Sequence, residues 1–246
     1  MTDLAPTPPD LAYHLTPGEG PTVVFLPGYA SDMTGNKAMA LEAWAKASGR
    51  AYLRFDYAGC GASEGSFEDQ TLLTWRDDVL RLIDNLVEGP VVLVGSSMGG
   101  WIMLLVAKER PGRVAAMVGI AAAPDFTDWG FTHDQKMTLL QHGRLEQPSA
   151  YSDAPLVTTR AFWASGEANR MLIGAIETRV PVRLIHGQMD FAVSWQRTMR
   201  LAELLRSSDV QIHLIKDGDH RLSREADIAL IVSAVEDVSR KCSLPS

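Results

Sequence analysis

The chain is poor in cysteine: Cys60 and Cys242 are the only two in 246 residues. Two distant thiols without a C-x-x-C pairing give neither a disulfide framework nor a metal site, and they suit a reducing compartment. Positive charge is also scarce. Lys and Arg number 23 against 30 Asp and Glu, for a net charge of −7. That balance argues against nucleic acid as the main partner, because phosphate binding needs a basic stripe. No apolar run approaches the length of a membrane span. The amino terminus, Met1-Thr2-Asp3-Leu4-Ala5-Pro6, has no basic n-region, no apolar h-region and no arginine-rich amphipathic pattern. Neither a signal peptide nor a mitochondrial presequence is therefore expected. These absences predict a cytoplasmic protein with no nucleic-acid partner and no membrane span. They leave the oligomeric state open.

Apolar residues are plentiful, at 46% of the chain. Their arrangement alternates between short runs and helical periods. Strands are predicted at Thr22–Leu26, Ala51–Phe55, Pro90–Val94, Val114–Ile120, Val182–Ile185 and Val210–Ile215, with an edge strand at Tyr13-His14-Leu15. Helices are predicted at Asn36–Ser48, Thr71–Val87, Trp101–Ala107, Trp195–Leu205 and Arg224–Val238. Such alternation implies an α/β class with a mostly parallel central sheet and helices on both faces. The length suits a single α/β domain spanning residues 1–246. From about Pro124 to Val180 the alternation stops. That segment is expected to form a small cap over the carboxyl edge of the sheet. Within it, Thr132-x-x-Gln135 reads as a capping box opening a helix through Leu140, and Ser165 as the cap of a helix over Glu167–Ile176. Of its large apolar residues Phe126, Trp129, Phe131, Met137, Phe162 and Trp163, two or three are expected to face a pocket. The others hold the cap on the core.

The most informative run is Gly95-Ser96-Ser97-Met98-Gly99-Gly100, directly after Pro90-Val91-Val92-Leu93-Val94. It has the form G-x-S-x-G between a strand and a helix. There the middle serine sits on a sharp turn with its hydroxyl exposed at the sheet edge. A side chain at position 95 or 99 would collide where the chain reverses so tightly. Ser97 is thus the candidate nucleophile for ester, thioester or amide hydrolysis. Ser96 is the rival, but the glycines flank Ser97 at two residues on either side.

A serine hydroxyl needs a base, and the base needs an orienting acid, in the chain order Ser, Asp, His. Of six histidines, His220 alone lies in a polar loop after the last strand, Asp217-Gly218-Asp219-His220. His14 lies at the edge strand, His133 and His142 in the cap, and His213 inside a strand. Asp190 follows the preceding strand and is the candidate acid. His186 is expected to support its loop. Asp217 and Asp219 more naturally shape the turn that carries His220. The oxyanion of a tetrahedral intermediate requires two backbone N–H donors. Met98 follows the nucleophile at a helix start, and Tyr29 lies in the loop Pro27-Gly28-Tyr29-Ala30 after the first clear strand. Arg54 to Ser63 contains a G-x-G, but it lacks the third glycine and the lysine of a phosphate loop. It reads as a structural turn in which Asp56 accepts backbone N–H bonds.

These segments resemble the serine α/β-hydrolase superfamily. The set Phe25-Leu26-Pro27-Gly28-Tyr29, Arg54-Phe55-Asp56-Tyr57, Gly95 to Trp101, His186-Gly187 with Asp190, and Asp219-His220-Arg221 is similar to the mitochondrial abhydrolase-domain depalmitoylases, which also cleave acyl glucuronides, and their bacterial relatives. The resemblance implies the α/β-hydrolase fold and a cytosolic or organellar serine hydrolase acting on S-acyl or O-acyl bonds. It also implies no cofactor, no metal, a small-molecule or acylated substrate, and a triad of Ser97, Asp190 and His220. The chain differs from that family in showing no presequence and in its cap. Carbon–carbon bond hydrolysis, cofactor-free perhydrolysis and an inactive ligand-binding scaffold use the same fold. Dehalogenases and epoxide hydrolases of this architecture carry aspartate where Ser97 stands. Arg221 has two readings: contact with an anionic leaving group, or pairing with Asp217 or Asp219.

Overall fold

Val-rich runs too short for helices become strands, and the amphipathic stretches between them become helices. The computed structural model describes residues 10–148 and 155–242. The amino-terminal stretch Met1–Pro6 lies outside them. Strands form at Tyr13–Thr16 (β1), Glu19–Leu26 (β2), Arg50–Phe55 (β3), Val91–Ser96 (β4), Val114–Ile120 (β5), Arg144–Gln147 (β6), Leu156–Thr159 (β7), Val182–Gly187 (β8) and Val210–Ile215 (β9). Helices form at Asn36–Ser48 (α1), Leu72–Leu86 (α2), Met98–Glu109 (α3), Phe126–Trp129 (α4), His133–His142 (α5), Arg160–Ala168 (α6), Gln196–Leu204 (α7) and Glu225–Cys242 (α8). A 3-10 turn spans Phe67–Asp69.

Seven strands make one sheet in the order β1-β3-β2-β4-β5-β8-β9. All its pairings are parallel except β1 with β3. The interior strands are buried on both faces, so they read as continuous apolar runs. Successive side chains then feed opposite cores. Val24, Leu26, Leu93 and Leu184 meet α2 and α3, through Trp75, Val79, Ile102 and Val106. Val23, Phe25, Val92, Val94 and Ile185 meet α1 and α8, through Leu41, Ala45, Ile231 and Val235. The helix α3 is buried along ten of its residues and is correspondingly apolar throughout.

The insertion after β5 forms the cap. The capping box opens α5 as expected, with Thr132 and Gln135 bonded reciprocally. The second cap helix differs from the expectation. It begins at Arg160, capped by the Thr159 hydroxyl, which accepts from the Phe162 N–H at 3.1 Å. It ends at Ala168, so Ser165 lies inside it. The cause is the buried Asp125. Its two carboxylate oxygens accept the Met171 and Leu172 N–H groups, each at 2.7 Å. A charged acceptor holds these donors more strongly than a helical carbonyl would, and the chain leaves the helix. The antiparallel hairpin β6–β7 was not expected either. The Asp56 reading holds: its carboxylate accepts from Met33 N at 2.7 Å and Ala62 N at 2.9 Å.

Candidate active site

The turn from β4 to α3 sets Ser97 at φ 53° and ψ −119°, a strained conformation for a residue with a side chain. Backbone hydrogen bonds hold it there. The Ser97 N–H donates to Ile120 O at 2.9 Å, and the Ser97 carbonyl accepts from Gly100 N at 2.9 Å and Ala123 N at 3.0 Å. The glycine requirement is steric. A Cβ on Gly95 would overlap the Gly99 carbonyl, and one on Gly99 would overlap the carbonyls of Leu26 and Pro27.

Ser97, Tyr29, Asp190 and His220 follow β4, β2, β8 and β9, so the loops that carry them emerge at the carboxyl edge of the sheet. The His220 Nε2 lies 3.1 Å from the Ser97 Oγ, and its Nδ1 lies 2.7 Å from the Asp190 Oδ2. Both are hydrogen-bond distances. The three side chains therefore form one connected chain. Asp190 is buried, and its other oxygen accepts from Ala192 N at 2.9 Å and Val193 N at 2.8 Å. His186 is fully buried beneath it. Its Nε2 lies 3.1 Å from Asp190 Oδ2 and 3.0 Å from Val193 O, and its Nδ1 lies 2.7 Å from the Thr198 hydroxyl. With Nε2 as donor, the Thr198 hydroxyl donates to Nδ1, and every ring nitrogen is satisfied. Burial alone would raise the Asp190 carboxyl. Hydrogen bonds from His186, His220 and the Val193 N–H outweigh it and hold the group well below the usual carboxylate range.

The loops that carry Asp190 and His220 meet through glycine. A Cβ on Gly187 would overlap the Gly218 carbonyl, and Met189 N donates to Gly218 O at 2.9 Å. Gly187→Ala should push the loop that carries His220 away from Asp190. The expected cost is about 1–3 kcal/mol of stability, as for other overpacked sites. Ester turnover should fall with it. Urea denaturation and steady-state kinetics check both, and wild-type values in the two would remove the steric argument.

Ser97 opens onto a cavity of about 590 Å³. Met98 and Tyr29 line it beside Ser97. A Cβ on Gly28 would sit 3.4 Å from the Ser97 Cβ, which shows how closely the Tyr29 loop abuts the serine. On the cap side the wall is mostly apolar, with Phe126, Trp129, Phe131 and Leu156 beside the polar Gln147 and Thr158. Phe162 instead packs on Tyr29, and the Trp163 indole donates to Thr127 O. A polar part of the wall carries Lys37 and Arg221. Sequence reasoning missed Lys37. Its ammonium donates to the Arg221 carbonyl at 2.6 Å, and burial together with Arg221 lowers its pKa against the pull of Asp219 and Asp227. Nothing near Asn36-Lys37 in the sequence signals this wall, because α1 reaches the pocket only in the fold. Asp217 pairs with Arg224 at 2.7 Å, and Asp219 Oδ1 accepts from Leu222 N. Of the other histidines, His14 pairs with Glu42, and His133, His142 and His213 lie on α5 and β9. Among the described residues, no group of three or more His, Cys, Asp or Glu side chains is placed to hold a metal. No described helix is long and apolar enough to cross a membrane.

The model of the alpha/beta hydrolase family matches residues 23–234. Human mitochondrial palmitoyl-protein thioesterase ABHD10 is 40% identical over 242 residues, which cover 97% of this chain and 79% of that protein. The structure of mouse alpha/beta hydrolase domain-containing protein 10 superposes with a TM-score of 0.89 at 38% identity, covering 99% of this chain and 97% of the other. A putative hydrolase from Agrobacterium vitis gives a TM-score of 0.89 at 38% identity over 94% of each chain. These relatives correct one expectation. The ABHD10 proteins are mitochondrial, so the cytoplasmic location inferred from cysteine usage and the amino-terminal residues does not stand. Unpaired thiols report a reducing environment and do not choose between compartments that share one. Fold, elbow and relatives agree, and the chain belongs to the α/β-hydrolase family, as a serine-hydrolase-type member grouped with ABHD10 and its bacterial relatives.

Proposed function

We propose that the chain hydrolyses carboxylic esters and thioesters through Ser97, His220 and Asp190. The observation that carries this reading is the continuous Ser97–His220–Asp190 hydrogen-bond chain, at 3.1 and 2.7 Å. His220 Nε2 takes the Ser97 proton as Oγ attacks the acyl carbon. Asp190 holds the ring in the Nδ1–H tautomer and stabilises the imidazolium that forms. The oxyanion accepts from the backbone N–H groups of Met98 and Tyr29. Met98 is the first residue of α3, so its N–H has no carbonyl within the helix to bond, and the helix dipole favours negative charge there. Each such donor contributes about 3 kcal/mol to the transition state. The imidazolium then protonates the leaving alkoxide or thiolate. A water, deprotonated by the same ring, attacks the acyl-enzyme and releases the carboxylic acid, restoring Ser97. In this reading residues 1–246 are one hydrolase domain, and the segment at about 124–180 covers the acyl side of the pocket.

Thioester cleavage is drawn from the activity named for the ABHD10 relatives and from the mostly apolar cap wall, which suits an acyl chain. A turnover panel of short p-nitrophenyl esters, long-chain acyl thioesters and acyl glucuronides tests the reading. Turnover of esters and thioesters is expected. A purified, folded chain that turns over none of the three would overturn it.

A further inference from the structure

Tyr29 occupies an unusual position between core and cap. Its ring meets Phe67 and Trp75 from the core at 5.2 and 5.7 Å, and Phe126 and Phe162 from the cap at 5.9 and 4.9 Å. Its phenol donates to the Val157 carbonyl at 2.9 Å, across 128 residues. Val157 lies in β7, and its neighbours Leu156 and Thr158 both line the cavity, as does Gln147, which pairs with Leu156 across the hairpin. Burial pushes the Tyr29 phenol up to about 12, against a lowering contribution from the Thr158 hydroxyl. The phenol therefore stays a neutral donor at any working pH. A two-stranded hairpin has little stability of its own. Its placement over the cavity depends on what it touches.

The geometry points to Tyr29 as the residue that sets acyl-chain selectivity: its phenol fixes the height of the β6–β7 hairpin above Ser97, and so the length of acyl group that the cap wall can seat. This rests on the esterase reading above. It assigns to the side chain a task separate from that of the Tyr29 main-chain N–H. Tyr29 is here a positioning residue, acting on substrate through Leu156, Thr158 and Gln147.

The test is Tyr29→Phe, which keeps the ring and removes only the donor. p-Nitrophenyl acetate, with a two-carbon acyl group, is the reference ester: any effect through the main-chain N–H at position 29 falls on both esters, so the loss on a long ester is read relative to the loss on acetate. Relative to acetate, the kcat/KM for p-nitrophenyl decanoate should fall about five- to tenfold through KM, the size expected for one buried hydrogen bond. Hydrogen exchange over 144–147 and 156–159 should quicken in the variant. An equal fall on both esters, or no change on either, would overturn the inference. So would a variant that does not fold, because the phenol would then serve the core. Failure of the esterase reading looks different: the wild type itself would cleave neither ester, and hydrogen exchange would still report whether the phenol holds the hairpin.

Discussion

Ser97→Ala should abolish covalent labelling by a fluorophosphonate probe and lower ester turnover by roughly 10^5- to 10^6-fold, the loss seen when a triad nucleophile is removed. The fold should survive. The backbone bonds from Ile120, Gly100 and Ala123 that hold position 97 involve no serine side-chain atom. Alanine can make the same main-chain bonds at a φ of 53°, so the variant is expected to keep the strained turn. Intact-mass spectrometry after probe treatment gives the direct reading. Equal labelling of wild type and variant would place the nucleophile elsewhere. Ser96, buried in β4, is the adjacent hydroxyl to examine then.

Asp190→Asn should cost about 10^4-fold in kcat through the wrong imidazole tautomer. The Asp190 carboxylate accepts from four sides: His220, His186, Ala192 N and Val193 N. An amide in that place turns two of its acceptor sites into donors. If its NH2 faces the histidines, His220 Nδ1 must accept, Nε2 carries the proton, and Ser97 loses its base. If it faces the loop, Ala192 and Val193 lose their acceptor and the loop shifts. Stability follows the sign of the shift. The Asp190 pKa is depressed in the folded state, so its contribution is present above the unfolded carboxylate pKa and is lost as pH falls through the folded value. The gap in melting temperature between wild type and variant should therefore be widest near neutrality and shrink in strong acid. A variant within tenfold of wild-type kcat would remove Asp190 from the acid role.

Much of this arrangement could be read in the sequence because its causes are local. Gly95 and Gly99 flank Ser97 for a steric reason that acts within a few residues. The order of strands along the chain then dictates which loops share the carboxyl edge, and so which histidine and which aspartate can meet. What escaped depends on distant contacts. Thr159 and Ser165 are equally plausible helix caps by type, and the choice between them is made by Asp125, which takes the Met171 and Leu172 N–H groups. The strand Arg144–Gln147 has no β-branched residue to announce it. Lys37 looks like an ordinary surface lysine at the start of α1 until α8 and the His220 loop fold against it.

The main-chain contact between Gly187 and Gly218 joins the two segments bearing carboxylate and imidazole into a single mechanical body. Thermal breathing of the rim would then vary the gap between serine and ring, while the aspartate travels with the ring. Attack on the acyl carbon would be interrupted and resumed many times, with the bond between carboxylate and imidazole kept throughout.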